Sequence, residues 1–465
     1  MPPLRLFSRY FPGRTLVLIL GDLFILTASL YFTGYLSVAD SRILSVDPAV
    51  FLAKVLALVF LGLGTFYVGG LYDPIPHLDR KEAAARVLSA ALVWGILIAA
   101  LAFSLPSLSL GRLSLFLGVV IGTLGVIGLR WFLSLMPATN GLRERLLFLG
   151  ATPVADRLIS ELEANNPGYE ILGYVDDHPG HEMALSNGFR VLGTTQQLHE
   201  VVATTKAGTI VVALTERRGK FPMQAIMDCK LRGIRIEDWP TFYEKLTGKI
   251  VVQNLRPSWL VFSEGFNRTR VTRLVKRAVD VALSFLFLAL GWPIFLLITL
   301  AIRLDSPGPV LLRQQRVGEQ GRTFNLLKFR TMVDDAEALT GPVWTSEEDP
   351  RITRIGHLLR KTRLDEFPQI INVLKGEMSF IGPRPERPHF VENLQEKIPY
   401  YAQRHTIKPG ITGWAQVRYR YGATIEDAEE KLQYDLYYVK NMSIFLDLLI
   451  LLFSIQVVLF GKGAR

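Results

Sequence analysis

Apolar positions divide the chain into a front third of long unbroken runs and a remainder where short runs alternate with charge. Four runs, at about 16–38, 50–72, 87–108 and 113–136, are each long enough to form a helix across the hydrocarbon core, which takes about 20 residues. They predict a four-helix transmembrane domain within residues 1–140. The first run is too long for the core of a signal peptide, although Ser37-Val38-Ala39 imitates a cleavage site, and three more spans follow it. Asp22 and Arg130 fall inside spans and are expected to face the bundle interior or the interface.

The pattern then changes. The stretch RERLLFLGATPVADRLISELEANNPGYEILGYVDD reads strand, glycine turn, helix, strand. TIVVAL (209–214) reads as a further buried strand, and a helix pattern near 222–232 leads into IRIEDW. Such alternation predicts a small parallel α/β domain, residues 141–263. Gly150 marks its turn, but Thr152 and Ala155 stand where a dinucleotide fingerprint would place further glycines. A degenerate Rossmann-like domain, of the CoA- or nucleotide-binding type, is therefore expected to regulate or dimerise rather than catalyse.

A fifth apolar run, 278–302, is broken by Trp292-Pro293. Proline removes a backbone hydrogen bond and clashes with the preceding turn, so a kink is predicted at Pro293. Arg268, Arg270, Arg273, Lys276 and Arg277 precede the run, and Arg303, Arg313 and Arg316 follow it. Basic residues on both flanks predict a re-entrant helix, 275–302, that enters the membrane and returns to the same face; a plain kinked crossing is the alternative. The leading collar suits an anionic leaflet, at about 1 kcal/mol per basic residue near the surface. A last apolar stretch covers 444–460.

Composition narrows the class. Hydrophobic residues make up 49% of the 465 and the mean hydropathy is +0.27, which fits a mixed membrane and soluble architecture. The formal charge of +10 points to acidic partners: nucleic acid, anionic lipid or phosphorylated substrates. The lone Cys229 excludes an intrachain disulfide and a cysteine metal cluster, and suits a reducing compartment. Arg5, Arg9 and Arg14, then Arg80, Lys81 and Arg86, then Arg143 and Arg145 flank the bundle on one side, against Arg42 and Arg112 on the other. The positive-inside rule makes that first side, and all that follows residue 140, cytoplasmic.

Candidate chemistry gathers after residue 306. Asp365-Glu366 stand just before Pro368, where a helix is expected to begin around Glu366–Pro368 and to stop at Lys375-Gly376. Lys328, Arg330, Arg351, Arg354, Arg360 and Arg363 precede them, and Arg384 is pinned between Pro383 and Pro385. Taken alone, the two carboxylates read either as caps matched to the helix dipole or as part of an anion site. His389 and His405 lack metal-ligand spacing and read as surface or hydrogen-bonding residues.

The motifs KFRTM, DPRITRIG, LRKTRLDEFPQIINVLKGEMSFIGPRPE, YYAQRHTIKPGITGWAQV and YDLYYVKNMS, spread over roughly residues 270–462, together resemble the bacterial sugar transferase family. Its members are monotopic polyprenyl-phosphate phosphoglycosyl transferases that begin capsule, exopolysaccharide and O-antigen synthesis. The resemblance implies a membrane helical bundle, an α/β Rossmann-like cytosolic domain and, in residues 264–465, an α+β catalytic domain anchored by a re-entrant helix. It implies Asp365 as the nucleophile on a UDP-sugar and Glu366, with Asp365, as ligands of Mg²⁺. Arg384 would clamp phosphate, and Lys328, Arg330 and Arg351 would contact diphosphate or uridine. Asp435, in YDLYY, would be a substrate group or one standing behind it. The implied product is undecaprenyl-diphosphate-sugar, with UMP released. The implied partners are the UDP-sugar, undecaprenyl phosphate, membrane lipid and a second copy in a homodimer, with no nucleic acid. The implied location is the cytoplasmic face of the bacterial inner membrane. A membrane-anchored scaffold that senses nucleotide without transfer is the alternative, and the sequence leaves the sugar open.

Overall fold

The computed structural model describes all residues except 1–3, 7–8, 12, 41–46, 73–79, 105–110, 136–143, 166–168, 178–187, 215–220, 254–264, 267–268, 334–348, 420–421, 423 and 461–465. Arg42 and Arg143, used above for orientation, and Arg268 of the basic collar lie outside the described residues. The chain forms two compact units, Met1–Thr247 and Gly248–Arg465.

The first unit opens with a short antiparallel pair, β1 (Leu4–Leu6) and β2 (Arg9–Phe11). Four helices follow: α1 (Gly13–Asp40), α2 (Pro48–Val68), α3 (Arg80–Ser104) and α4 (Arg112–Leu135). All four are long and apolar enough to cross a membrane, as the apolar runs predict. Asp47 accepts from Ala49 N and Pro48 takes the first helical position, so α2 starts where its sequence dictates. Lipid offers no hydrophobic drive between helices, and close packing replaces it. Gly118, Gly122 and Gly125 of α4 accordingly lie directly against Leu30, Ser29 and Ile25 of α1. Asp22 is fully buried in this bundle, where it pairs with Arg130.

The same unit holds five parallel strands: β3 (Glu144–Leu149), β4 (Tyr169–Val175), β5 (Val191–Gly193), β6 (Thr209–Val212) and β7 (Arg235–Asp238). They lie in the order β5-β4-β3-β6-β7, the parallel α/β arrangement expected. Helices α5 (Pro153–Asn165), α6 (Leu198–Thr205), α7 (Met223–Leu231) and α8 (Trp239–Thr247) connect and follow the strands. Gly150 turns the chain after β3 at φ +104°, a conformation that favours glycine. Ala151 N in that turn donates to Asp176, and the Thr152 hydroxyl donates to Ala213 O.

The second unit begins at Gly248, earlier than residue 264, where the sequence reading starts the catalytic domain. Ile250 and Val252 pack with Val317, Val391, Leu394, Leu432 and Leu436, and Ile250 N donates to Gln433 O. Residues 248–253, which the sequence reading assigned to the middle domain, thus complete the core of the second unit. One continuous helix, α9 (Arg270–Asp305), runs through Pro293 and contains the whole expected re-entrant segment. Next come the antiparallel pair β8 (Leu311–Val317) and β9 (Thr323–Phe329), then α10 (Arg354–Thr362). A 3-10 turn, Leu364–Glu366, leads into α11 (Gln369–Lys375). Strands β10 (Ser379–Ile381) and β11 (Gly410–Thr412) pair in parallel around α12 (Pro388–Lys397). The unit closes with α13 (Trp414–Arg418), α14 (Ile425–Asn441) and α15 (Ile444–Phe460).

Part of the basic collar turns inward. Lys276 donates to Asp447 at 2.7 Å and to the Tyr438 hydroxyl at 3.1 Å. Arg277 caps the last carbonyls of α11, at 2.6 Å from Val373 O and 2.7 Å from Leu374 O. Only Arg270 and Arg273 of the collar residues described are exposed in the manner a lipid surface requires.

Candidate active site

The carboxylate pair sits in a turn rather than on the helix it precedes. Arg363 ends α10 at φ +60°, a left-handed conformation that costs a non-glycine residue free energy, and turns the chain into Leu364–Glu366. Pro368 then precedes α11, which starts at Gln369, and Gly376 ends it at φ +82°. The helix stop falls where the sequence predicts, and the start falls one residue past the expected Glu366–Pro368, so neither carboxylate caps α11.

Glu366 is buried, and two cations meet on one of its oxygens. Lys328 Nζ, from β9, lies 3.1 Å from Oε1, and Arg384 Nη2 lies 2.8 Å from the same atom. Burial pushes the Glu366 carboxyl up, but Arg384 and Lys328 outweigh it and hold the group well below the usual carboxylate range. Asp365 moves the other way: burial raises it, against the pull of Lys328, and the Glu366 anion adds to the rise. Burial likewise lowers the Lys328 ammonium, against the Glu366 anion. Two adjacent carboxylates are thus pushed apart in acidity by their surroundings. Among the described residues, the Asp365 carboxylate makes no hydrogen bond or ion pair.

Each side chain is held from behind. Asn372 of α11 is fully buried: its Oδ1 accepts from Leu327 N, and its Nδ2 donates to Asn325 O and Glu377. It therefore stitches α11 to the strand that carries Lys328. The Pro383-Arg384-Pro385 loop is pinned by Gly410 N to Pro383 O, Arg404 Nη2 to Arg384 O at 3.0 Å, and Arg316 Nη1 to Pro385 O at 3.1 Å. Burial drops the Arg316 guanidinium to about 10. Gly382, Gly410 and Gly413 meet backbone to backbone beneath the loop, where a Cβ on any of them would strike main-chain atoms.

The structure brings Lys328, Asp365, Glu366 and Arg384 together. It engages the other candidates elsewhere. Arg330 is buried and donates to Pro307 O, Ser306 O and the Ser306 hydroxyl, clamping the exit of α9. Arg351 grips Asp349 with Nε at 2.8 Å and Nη2 at 2.6 Å. Asp435 is buried and pairs with Arg404 at 2.8 Å, so it stands behind the residue that holds the Arg384 carbonyl. Pro293 lies inside α9. His389 is exposed; His405 is buried against Tyr401 rather than at the surface, and burial beside Arg404 lowers its imidazole to about 4. Sequence reasoning missed Asn372, Arg404 and Asp280, and named Arg316 only as a basic residue after the fifth apolar run. Two carried a signal, because Asn372 interrupts an apolar helix pattern and Asp280 an apolar membrane run. Asp280 accepts from the Ser379 hydroxyl and from Phe380 N, both at 3.0 Å.

Comparison with known proteins shows what the chain is similar to. The bacterial sugar transferase family matches residues 271–461, and a CoA-binding domain family matches residues 70–236. The UDP-glucose:undecaprenyl-phosphate glucose-1-phosphate transferase of Escherichia coli (strain K12) is 34% identical over 332 residues, 68% of this chain and 68% of that protein. The UDP-N-acetylgalactosamine-undecaprenyl-phosphate N-acetylgalactosaminephosphotransferase of Aeromonas hydrophila is 40% identical over 237 residues, 51% of this chain and 55% of the relative. The Exopolysaccharide production protein PSS of Rhizobium leguminosarum bv. phaseoli is 43% identical over 183 residues, 38% of this chain and 92% of its own length. The match thus spans little more than half of the Aeromonas relative and about two thirds of the Escherichia one. The chain belongs to the bacterial sugar transferase family.

Proposed function

We propose that the chain transfers a sugar 1-phosphate from a UDP-sugar to undecaprenyl phosphate, with release of UMP, on the cytoplasmic face of the bacterial inner membrane. One observation carries the reading. Lys328 and Arg384 converge on Glu366, while Asp365 beside them has no partner of its own among the described residues. The relatives' names supply the substrate class.

In this reading an Asp365 oxygen attacks the β-phosphorus, the bond from that phosphorus to the UMP oxygen breaks, and UMP leaves with the electron pair. The aspartyl acyl phosphate then carries the sugar. An oxygen of undecaprenyl phosphate attacks the same phosphorus, the acyl phosphate bond breaks, and the Asp365 carboxylate is restored. Two displacements replace one difficult transfer. Partial burial leaves the Asp365 anion poorly solvated and so more reactive, while the Arg384 fork and Lys328 meet the charge of the incoming diphosphate.

Among the described residues no group of three or more His, Cys, Asp or Glu is disposed to hold a metal alone. Mg²⁺ commonly takes one or two carboxylates and completes its shell with phosphate and water. Both cations sit on Oε1 of Glu366, which leaves its Oε2 and the Asp365 carboxylate for such a role. When bound, the ion would neutralise diphosphate charge and ease departure of UMP.

A re-entrant α9 belongs to the same proposal. Arg277 and Asp280 near its start, and Asp305 at its end, all bond to other elements of the second unit. A straight helix would set Arg277 and Asp305 about 42 Å apart, beyond the hydrocarbon thickness. The scaffold alternative draws little from the middle sheet, whose turn spends Ala151 N on its own Asp176.

The test is intact-protein mass spectrometry after mixing with Mg²⁺ and each of a panel of UDP-sugars, without acceptor. A sugar-phosphate increment on Asp365 is expected. UMP release only when undecaprenyl phosphate is present would point instead to direct transfer.

A further inference from the structure

Lys328 and Glu366 come from different elements, a strand and a turn, so something must set the distance between them. Their chain neighbours show what does. Phe329 follows Lys328 on β9 and, by strand alternation, faces the opposite side of the hairpin. There it is buried, with its ring centroid 4.8 Å from Phe295 of α9. Phe367 follows Glu366, and its ring centroid lies 6.3 Å from the same Phe295. The tip of the Phe367 ring fills a notch that exists only because residue 291 is glycine: a Cβ there would collide with it. Gly291 is buried inside an otherwise lipid-suited helix, one residue before Trp292-Pro293. Ile298, Ile302, Leu359, Ile355 and Leu364 complete the cluster around the three rings.

We propose that Gly291 and Phe295, on the membrane helix, are positioning residues for the reaction at Asp365: they fix the Lys328–Glu366 pair, and Asp365 with it, through Phe329 and Phe367. The inference rests on the transferase reading. Its mechanism is mechanical. Each phenylalanine is covalently next to a charged group of the site, so a ring displaced from the helix moves that group by a similar amount. A misplacement of about 1 Å can cost on the order of 100-fold in rate. The helix that anchors the protein is by the same token the floor of its active site, and its seat in the bilayer sets the site's geometry.

The full-length protein in lipid nanodiscs provides the test. UMP release is followed as a single-turnover burst without acceptor, and KM for the active UDP-sugar is measured beside it. Gly291→Ala should slow the burst roughly 10- to 100-fold while KM stays within about twofold. Alanine favours the helix but its methyl overpacks against the Phe367 ring, so the melting temperature should shift by no more than a few degrees, and the burst is taken per folded molecule. A merely structural lesion would leave the burst per folded molecule unchanged. Phe367→Leu withdraws the ring tip, so the Gly291→Ala/Phe367→Leu double variant should recover to within about threefold of Phe367→Leu alone, a coupling that only neighbours show. Phe295→Leu keeps apolar bulk but loosens both ring contacts, and should slow the burst without Gly291 being touched. A wild-type burst in both Gly291→Ala and Phe295→Leu, or no recovery in the double variant, overturns the proposal. A wild-type protein silent toward every UDP-sugar overturns the transferase reading, and this one with it.

Discussion

Two buried ion clusters, one in each unit, differ in how their charges balance. In the front bundle, Asp22 receives Arg130 Nη1 and Nη2 on its two oxygens, each at 2.9 Å, and the Tyr72 hydroxyl at 2.9 Å. One anion meets one cation and both oxygens are filled. In the second unit, Glu366 receives two cations on one oxygen, and its neighbour Asp365 receives none. Burial is common to both, and so is a guanidinium. The bundle cluster is complete as it stands, and suits holding helices together where lipid gives them no reason to associate. The other leaves the second Glu366 oxygen and the Asp365 carboxylate without a hydrogen-bond partner among the described residues, as the proposed transfer requires. Buried charge by itself marks neither structure nor function; the distribution of partners does.

The comparison can be broken at several points. The largest effect is expected from Asp365→Asn, which keeps shape and removes the anion: UMP release in the acceptor-free assay should fall by about 1,000-fold or more, with no adduct by mass spectrometry. Asp22→Asn should do the reverse. Removing one partner of a buried pair costs about 3–5 kcal/mol, so thermal unfolding of the bundle should come earlier while the burst per folded molecule is unchanged. A lost burst in Asp22→Asn would show that the bundle cluster serves the chemistry too. Arg384→Met should cost on the order of 2–4 kcal/mol of transition-state stabilisation, read as kcat/KM over a substrate series.

The smallest effect sharpens the contrast from within the second unit. His405 has its imidazole lowered from 6.5 to about 4 by burial and the adjacent Arg404. A depressed value means the folded protein resists protonation, so this stabilisation is full above pH 6.5 and is lost as pH falls through about 4. Melting temperature should drop by a few degrees across that window, and His405→Gln should flatten the slope. An unchanged slope would remove His405 from the account of acid sensitivity.

Much of this arrangement can be read from the chain. Four apolar runs of crossing length became four helices, and alternating strand and helix signals became a parallel sheet, because both patterns reflect local periodicity. Asp365, Glu366, Lys328 and Arg384, singled out through motifs and proline placement, come together in the fold. Other features depend on the partner, which no local pattern names. Arg330, Arg351, Lys276 and Arg277 look like free cations in sequence, yet they bind Ser306, Asp349, Asp447 and the carbonyls of Val373 and Leu374. Residues 248–253 could not be assigned by strand–helix alternation, since Ile250 and Val252 choose their unit by the core they complete. The Gly291 notch becomes visible only when Phe367 arrives to fill it.

The three glycines beneath the Pro383-Arg384-Pro385 loop have a consequence for inhibitor design. A side chain on Gly382, Gly410 or Gly413 would run into main-chain atoms of its neighbours. Resistance to a compound usually arises when a residue lining its site changes size. All three are buried, so a compound held by Arg384 would face a loop whose underlying backbone substitution cannot reshape without displacing Arg384 itself.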